Sequence, residues 1–420
     1  MGIRNSYDVA VVGAGPAGAW TAYSLARRGA NVLLLDPSHP REKPCGGGVT
    51  GRALDLVAEA IDGTPLPSVT IRSARFMGTE GPPEGGHHET RSWRPVSAGH
   101  DGVSVALDDR ALVVASRTDF DARLLRAAER AGARVVHARV TDVRGPEGHF
   151  EIETRGPAET GRHVRRSDIH RAPVLVGADG ANSLVRRRMS APFRRDQLSI
   201  ATGFFAHGVT SDEIVVELVA DPPGYVWSFP RPTHLAIGVC AQADAGVTAA
   251  ALRRIAADWI ARTGIARGAR LEPYSWPIPS LGARDAAALQ PAGRGWCLVG
   301  DAAGLVDPIT REGIYFALRS AESAADAIAS ARGLSWYAAT VRDGMGAELA
   351  RAAHFKRAFF RPRFTHLLID ALDASSAVRA VMADLVAGRQ GYRDLKWRLI
   401  RTLEIGLAGR LLLNGLRERW

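Results

Sequence analysis

Short apolar runs that end in glycine or acid recur along the chain and set its frame. Residues 7–12 (YDVAVV) form the first run, the pattern of a strand buried on both faces of a parallel sheet. GAGPAG follows, from Gly13 to Gly18, and AWTAYSLARRG then carries apolar residues at helical spacing up to a stop at Gly29. A second run, NVLLLD, ends at Asp36, 18 residues beyond Gly18. Strand, glycine turn, helix, strand and acid in this order predict a dinucleotide-binding βαβ unit. Gly13 permits the tight turn, Gly15 lets a pyrophosphate approach the backbone, and Gly18 lets helix and strand pack closely. Pro16 and Ala17 open the helix, whose free N–H groups and positive dipole end suit phosphate. Asp36 stands where a ribose-binding acid belongs.

Further along, residues 78–103 are rich in Gly, Pro, His and Ser and read as an exposed loop between strands. Residues 118–132 predict a helix, with Asp119 as N-cap and Gly132 as stop. Strands are expected over 134–143 and 149–154. Residues 173–189 read as a strand ending in GADG, with Asp179 and Gly180 at the turn, and then a helix. From about 190 to 290 the pattern turns to strands, as in a mostly antiparallel sheet. WCLVGD (296–301) is one more apolar strand, ending at Gly300 and Asp301. A helix is expected over about 312–332, and the pattern is helical from 336 onward. No internal repeat is evident.

Composition adds little to this picture: 420 residues, 46% hydrophobic and 23% charged, describe an ordinary soluble globular chain with material for a large core. The charge does more. The net +10 rests almost wholly on arginine, with lysine only at Lys43, Lys356 and Lys396. The arginines are scattered and no nucleic-acid motif is present, so no nucleic-acid partner is expected. An acidic substrate, an anionic membrane surface and a plain bias toward arginine all remain open. Cys45, Cys240 and Cys297 fit neither a disulfide framework nor a zinc site, and no metal is expected. With no signal peptide before the first strand and no apolar run near the ~20 residues of a membrane span, a reducing cytoplasm is the expected compartment.

REKPCGGGVT (41–50) stands out, because Cys45 directly precedes three glycines. Those glycines would weaken a helix or strand, so the stretch reads as a loop whose backbone passes close to something. Cys45 is either a reactive group there or a small buried apolar side chain. Cys240 and Cys297 sit within apolar strands and read as core.

GAGPAG, GADGANS and GDAAGLVDP, each closing a strand in a Gly/Asp turn before a helix, resemble in order the three segments of FAD-dependent oxidoreductases of the aromatic-hydroxylase type. The resemblance covers roughly residues 5–335 and implies FAD. The first segment would hold the ADP pyrophosphate, and the second would lie beside flavin and pyrophosphate. Asp301 would hold the ribityl chain, and the helix N-terminus at Gly313 and Ile314 would point at the flavin. Arg117 in SRTDFD matches the arginine that this group places before its FDxxL helix. PCGGGVT and PPGYVWSFP (222–230) narrow the likeness to the geranylgeranyl reductases, whose loop and PxxYxWxFP signature they match. One departure stands out: this chain has Arg311 where that family usually has Gly.

The resemblance implies an α/β fold with an FAD-binding Rossmann-like domain in three parts (1–75, 117–190, 291–335). Loop and strands at 76–116 and a β-sheet at 191–290 would form an inserted, mostly antiparallel substrate domain, and 336–420 a helical tail. It further implies that Cys45, Gly46 and Gly47 pass the flavin. Cys45 would donate a proton, its thiol kept neutral by apolar walls. Tyr225, Trp227 and Phe229 alternate along one strand and share a face. They either wall an apolar tunnel for an isoprenoid or form ordinary sheet core, and Pro230 ends that strand. The expected chemistry is reduction of isolated C=C bonds in an isoprenoid. A flavin monooxygenase acting on an aromatic small molecule, or on a tryptophan-like side chain of a partner protein, is the alternative. No second GxGxxG marks a nicotinamide domain, so NAD(P)H would bind transiently, or a small electron-carrier protein would supply electrons. Residues 395–420 mix Leu and Ile with arginine at helical spacing. They read as a basic amphipathic helix on the inner membrane surface, or as a helix packed on the FAD domain.

Overall fold

The computed structural model describes residues 7–61, 65–80, 94–95, 102–156, 167–330 and 332–402. Most of the 78–103 loop and residues 403–420 of the basic tail therefore lie outside the described residues.

The first sheet has six strands. From one edge they are Ala292–Gly293, Trp296–Leu298, Val174–Gly177, Val9–Val12, Val32–Leu35 and Arg134–Val136. All neighbours run parallel except the first pair. Val9–Val12 and Val32–Leu35 are wholly buried, as continuous apolar runs in a two-sided sheet require. The helix Pro16–Ala26 packs against both Arg117–Arg130 and Ile314–Ala329 beside this sheet. Glycine turns leave the carboxyl ends of its central strands, where open α/β sheets bind their ligands.

The second sheet has eight strands. Arg270–Pro279, Leu198–His207, His234–Gln242, Pro223–Pro230 and Glu213–Ala220 are antiparallel neighbours. Ser73–Glu80 then joins parallel to Glu213–Ala220, and Arg94–Pro95 and Val103–Ala106 pair with it. The expected mostly antiparallel sheet is thus present, and it draws strands from residues 73–106 as well as from residues 198–279. A helix not read from sequence, Ala249–Thr263, covers one face with Leu252, Ala256, Trp259 and Ile260. Side chains alternate, so Tyr225, Trp227 and Cys240 face the other way, toward Phe360.

Two sequence expectations shift. The N-cap of the Arg117–Arg130 helix is Ser116, whose hydroxyl accepts from Asp119 N; Asp119 sits in the first turn. An acid there favours the helix dipole without capping it. The expected strand 134–143 is two strands. Arg134–Val136 completes the first sheet, and Arg139–Arg144 turns away into a three-stranded sheet with Phe150–Arg155 and Ser167–Ala172. Gly48–Thr50, Leu112–Ala115 and Ser68–Thr70 form another small sheet, which anchors the end of the CGGG loop. From residue 333 to residue 402 the described chain is mainly helical as expected, with Ala347–Phe359, Pro362–Ala374, Ser376–Val386 and Tyr392–Thr402 as its last helices. No helix among the described residues is long and apolar enough to cross a membrane.

Candidate active site

The three Gly/Asp segments meet. A methyl group on Gly13 would lie 2.4 Å from Ala178 O, so only glycine lets the first turn touch the second. One on Gly300 would lie 3.0 Å from the Ala17 methyl, which joins the third turn to the first helix. Gly313 stands beside Asp301, 3.4 Å from Oδ1 by the same measure. The N-terminus of the Ile314–Ala329 helix therefore faces the same space as Asp301.

These residues fit the pyrophosphate of FAD. The Pro16–Ala26 helix has no side-chain cap and no acid in its first turn, so its leading N–H groups and dipole are left for an anion. In front of Gly15 a methyl would meet only the His39 ring, at 3.6 Å. The absence of a side chain there keeps a cradle open rather than satisfying a protein neighbour. Gly180 likewise has open space before it.

Behind the cradle runs a chain of charged hydrogen bonds. Asp36 Oδ2 accepts from Ala14 N at 2.9 Å and faces His39 Nδ1 at 2.9 Å; Oδ1 accepts from Ser38 N and His39 N. The expected ribose acid thus also braces the glycine turn. Burial would raise the Asp36 carboxyl, yet the bonds from His39, Ala14 and Ser38 hold it well below the carboxylate range. His39 Nε2 lies 3.5 Å from Asp121 Oδ2. Burial disfavours the charged imidazole, but Asp121 and Asp36 outweigh it and raise its pKa. Asp121 takes two bonds from Arg117, at 2.9 and 2.8 Å, and both groups are buried. The remaining Arg117 nitrogen, Nη1, lies 3.6 Å from Cys45 Sγ. Arg117 therefore links the cradle to the cysteine.

Four residues hold the glycine loop. Lys43 Nζ donates to Asp301 Oδ2 at 2.8 Å. Glu42 accepts from Ser116 Oγ and Arg117 N, and it pairs with the fully buried Arg231. Arg231 Nη2 donates to Cys45 O at 2.6 Å and lies 3.8 Å from Cys45 Sγ. The Phe229 ring packs on the loop, 3.0 Å from where a methyl on Gly46 would be. Gly47 adopts φ +84°, with Ala115 O and Arg231 crowding it, so a side chain there is barred twice over. This corrects one expectation. The walls of the Cys45 sulfur are not apolar throughout; two guanidinium groups approach it, Arg117 at 3.6 Å and Arg231 at 3.8 Å.

On the sheet, Tyr225, Trp227 and Phe229 do share a face, and Pro230 does end their strand. The Tyr225 ring stacks on Phe360 with centroids 6.4 Å apart, so C-terminal side chains cover part of this face. Tyr225 Oη donates to Thr310 O at 3.3 Å, which ties the sheet to the loop after Asp301. Asp179 faces inward: it accepts from Ser183 Oγ, Leu184 N and Val185 N, and so braces the start of the short helix Leu184–Met189, whose N-cap is Ser183. Cys240 and Cys297 are fully buried, as expected of core.

Sequence reading missed His39, Glu42, Lys43 and Arg231. His39 and Glu42 sit within a few residues of Asp36 and the glycines, and that proximity was the only signal they carried. Arg231, directly after Pro230, carried none.

A family model described as an FAD binding domain matches residues 6–333. A menaquinone reductase from Mycobacterium tuberculosis is 29% identical over 349 residues, 79% of this chain and 78% of its own. A digeranylgeranylglycerophospholipid reductase from Methanothrix thermoacetophila is 29% identical over 380 residues, 84% of this chain and 88% of its own. Among solved structures, a geranylgeranyl bacteriochlorophyll reductase-like protein from Thermoplasma acidophilum superposes with a TM-score of 0.71 at 21% identity, over 95% of this chain and 99% of that one. The pyrophosphate cradle, the meeting of the three Gly/Asp turns and the extent of the family match lead to one conclusion: the chain belongs to this family of FAD-binding domains, and it is an FAD-dependent oxidoreductase with geranylgeranyl-type reductases among its relatives.

Proposed function

We propose that this enzyme saturates isolated C=C bonds of an isoprenoid chain. The observation that carries the reading is the position of Cys45. It sits in a glycine loop tied to Asp301 on one side and packed on Phe229 of the aromatic face on the other. The names of the menaquinone and digeranylgeranylglycerophospholipid reductases support the same substrate class.

An isolated alkene has no carbonyl to accept charge, so hydride addition needs a proton at nearly the same time. Reduced FAD, when bound, supplies the hydride. The chain supplies the rest. Cys45 Sγ gives up the proton, and the Arg117 and Arg231 guanidinium groups face the negative charge left on sulfur. Tyr225, Trp227 and Phe229 hold the apolar chain and keep water out. NAD(P)H or a small electron carrier restores the reduced state. The substrate comes from a bilayer: Phe364, Leu367, Trp397 and Ile400 are exposed apolar side chains on the C-terminal helices, among arginines, and suit docking on an anionic membrane at the cytoplasmic face.

The test is direct. Reduced holoenzyme is incubated with a geranylgeranyl lipid and the product is weighed by mass spectrometry. Gain of two hydrogen atoms per bond, lost in Cys45→Ala, supports the reading. An unchanged lipid excludes it.

A further inference from the structure

Arg311 is the only described non-glycine residue in the left-handed region, at φ 61°. A glycine would carry no strain there. Its guanidinium is also unusual. Nε and Nη1 are buried and have no hydrogen-bond partner among the described residues. Two buried guanidinium nitrogens without an acceptor are costly even on a half-buried side chain, and strained backbone that persists points to a use.

The nearby acids do not neutralise it. Glu312, next in the chain, is taken by Arg52 and Thr50. Asp307 accepts from Ile309 N, Thr310 N and Tyr392 Oη. The Arg311 charge also acts on a second cation, Lys356. Lys356, one turn before Phe360, donates to Gln242 Oε1 at 2.6 Å and Ser280 Oγ at 2.9 Å, which leaves its third N–H. Burial pushes the Lys356 ammonium down to about 7, and the Arg311 charge adds to that effect. Tyr225 stacks on Phe360, one turn after Lys356, and donates to Thr310 O, next to Arg311 in the chain.

We propose that Arg311 binds an oxyanion group of the substrate — phosphate, diphosphate or carboxylate — at the edge of the aromatic face. This deepens the isoprenoid reading and rests on it for the nature of the chain. Guanidinium matches the fork of a phosphate or carboxylate oxygen pair, which Gly could not do. An anion here relieves the unpaired Arg311 and favours the charged form of Lys356 at once.

The experiment is binding to oxidised holoenzyme, followed by the flavin absorbance change and by calorimetry. Three probes are used: geranylgeranyl diphosphate, neutral geranylgeraniol and inorganic pyrophosphate. Wild type is compared with Arg311→Gly, which relieves the left-handed strain and so keeps the fold, as a melting curve checks. The diphosphate is expected to bind at least about tenfold more tightly than the alcohol in wild type, with the advantage lost in Arg311→Gly. Equal binding of the two prenyl probes in both proteins would overturn the oxyanion site and leave the isoprenoid reading intact. Pyrophosphate binding that depends on Arg311, with neither prenyl probe bound, would keep the site and overturn the isoprenoid reading. No binding of any probe would overturn both.

Discussion

Lys43 and Asp301 are 258 residues apart in sequence and 2.8 Å apart in space. This ion pair fastens the cysteine-bearing loop to the turn that, by resemblance, holds the ribityl chain. Asp301→Ala should lower FAD affinity by about tenfold or more, read as flavin absorbance per chain after gel filtration. Lys43→Ala should cost FAD less, because it leaves the Asp301 carboxylate in place. Loss of FAD in Lys43→Ala but not in Asp301→Ala would reverse these roles.

Gly15 and Gly18 separate folding from binding. A methyl on Gly18 would lie 1.8 Å from Gly13 O, whereas one on Gly15 meets nothing closer than 3.6 Å. Gly18→Ala should destabilise the protein by about 1–3 kcal/mol in urea unfolding. Gly15→Ala should unfold like wild type without FAD, yet fail to bind FAD. Normal FAD content in Gly15→Ala would remove the cradle.

The legible part of this molecule was local. Strand, glycine turn, helix and Asp36 lie within one short stretch, and each residue type there has a backbone reason. The alternation of Tyr225, Trp227 and Phe229 was equally plain. The surroundings of Cys45 were not. Arg231 reaches the loop from a distant strand end, and no periodicity announces a buried arginine. Arg311 could be flagged as a departure from glycine, but its left-handed backbone and its unpaired nitrogens exist only in the folded loop. The split after Val136 was hidden because both strands carry the same β-branched residues.

His39 should make the stability of the fold depend on pH. Its pKa is raised above the ordinary 6.5 by Asp121 and Asp36, against the effect of burial. The raised group contributes stability fully below 6.5, and the contribution fades as pH rises through the folded-state value. The charged groups around it are Asp36, Asp121 and, through Asp121, Arg117. Melting temperature measured against pH should fall on the alkaline side in wild type and be flatter in His39→Gln. The same slope in both proteins would contradict this assignment.

Arg231 is fully buried, pairs with Glu42 and holds the Cys45 carbonyl. Arg231→Met should destabilise the fold by about 3 kcal/mol, because it leaves Glu42 without its partner. The Arg231→Met, Glu42→Gln double variant should recover part of that loss. Additive losses would show that the two side chains do not act as a pair.

What the reduced flavin reacts with separates a reductase from a monooxygenase. The holoenzyme is reduced without oxygen, then mixed in parallel with a prenyl lipid and with air-saturated buffer while flavin reoxidation is followed. Fast reoxidation by the lipid, slow reaction with oxygen, and slowing of the lipid reaction in Cys45→Ala at full FAD content are the expected results. Fast reaction with oxygen through a transient peroxyflavin, and none with the lipid, would contradict the reductase and turn the search to an aromatic or protein substrate for a monooxygenase.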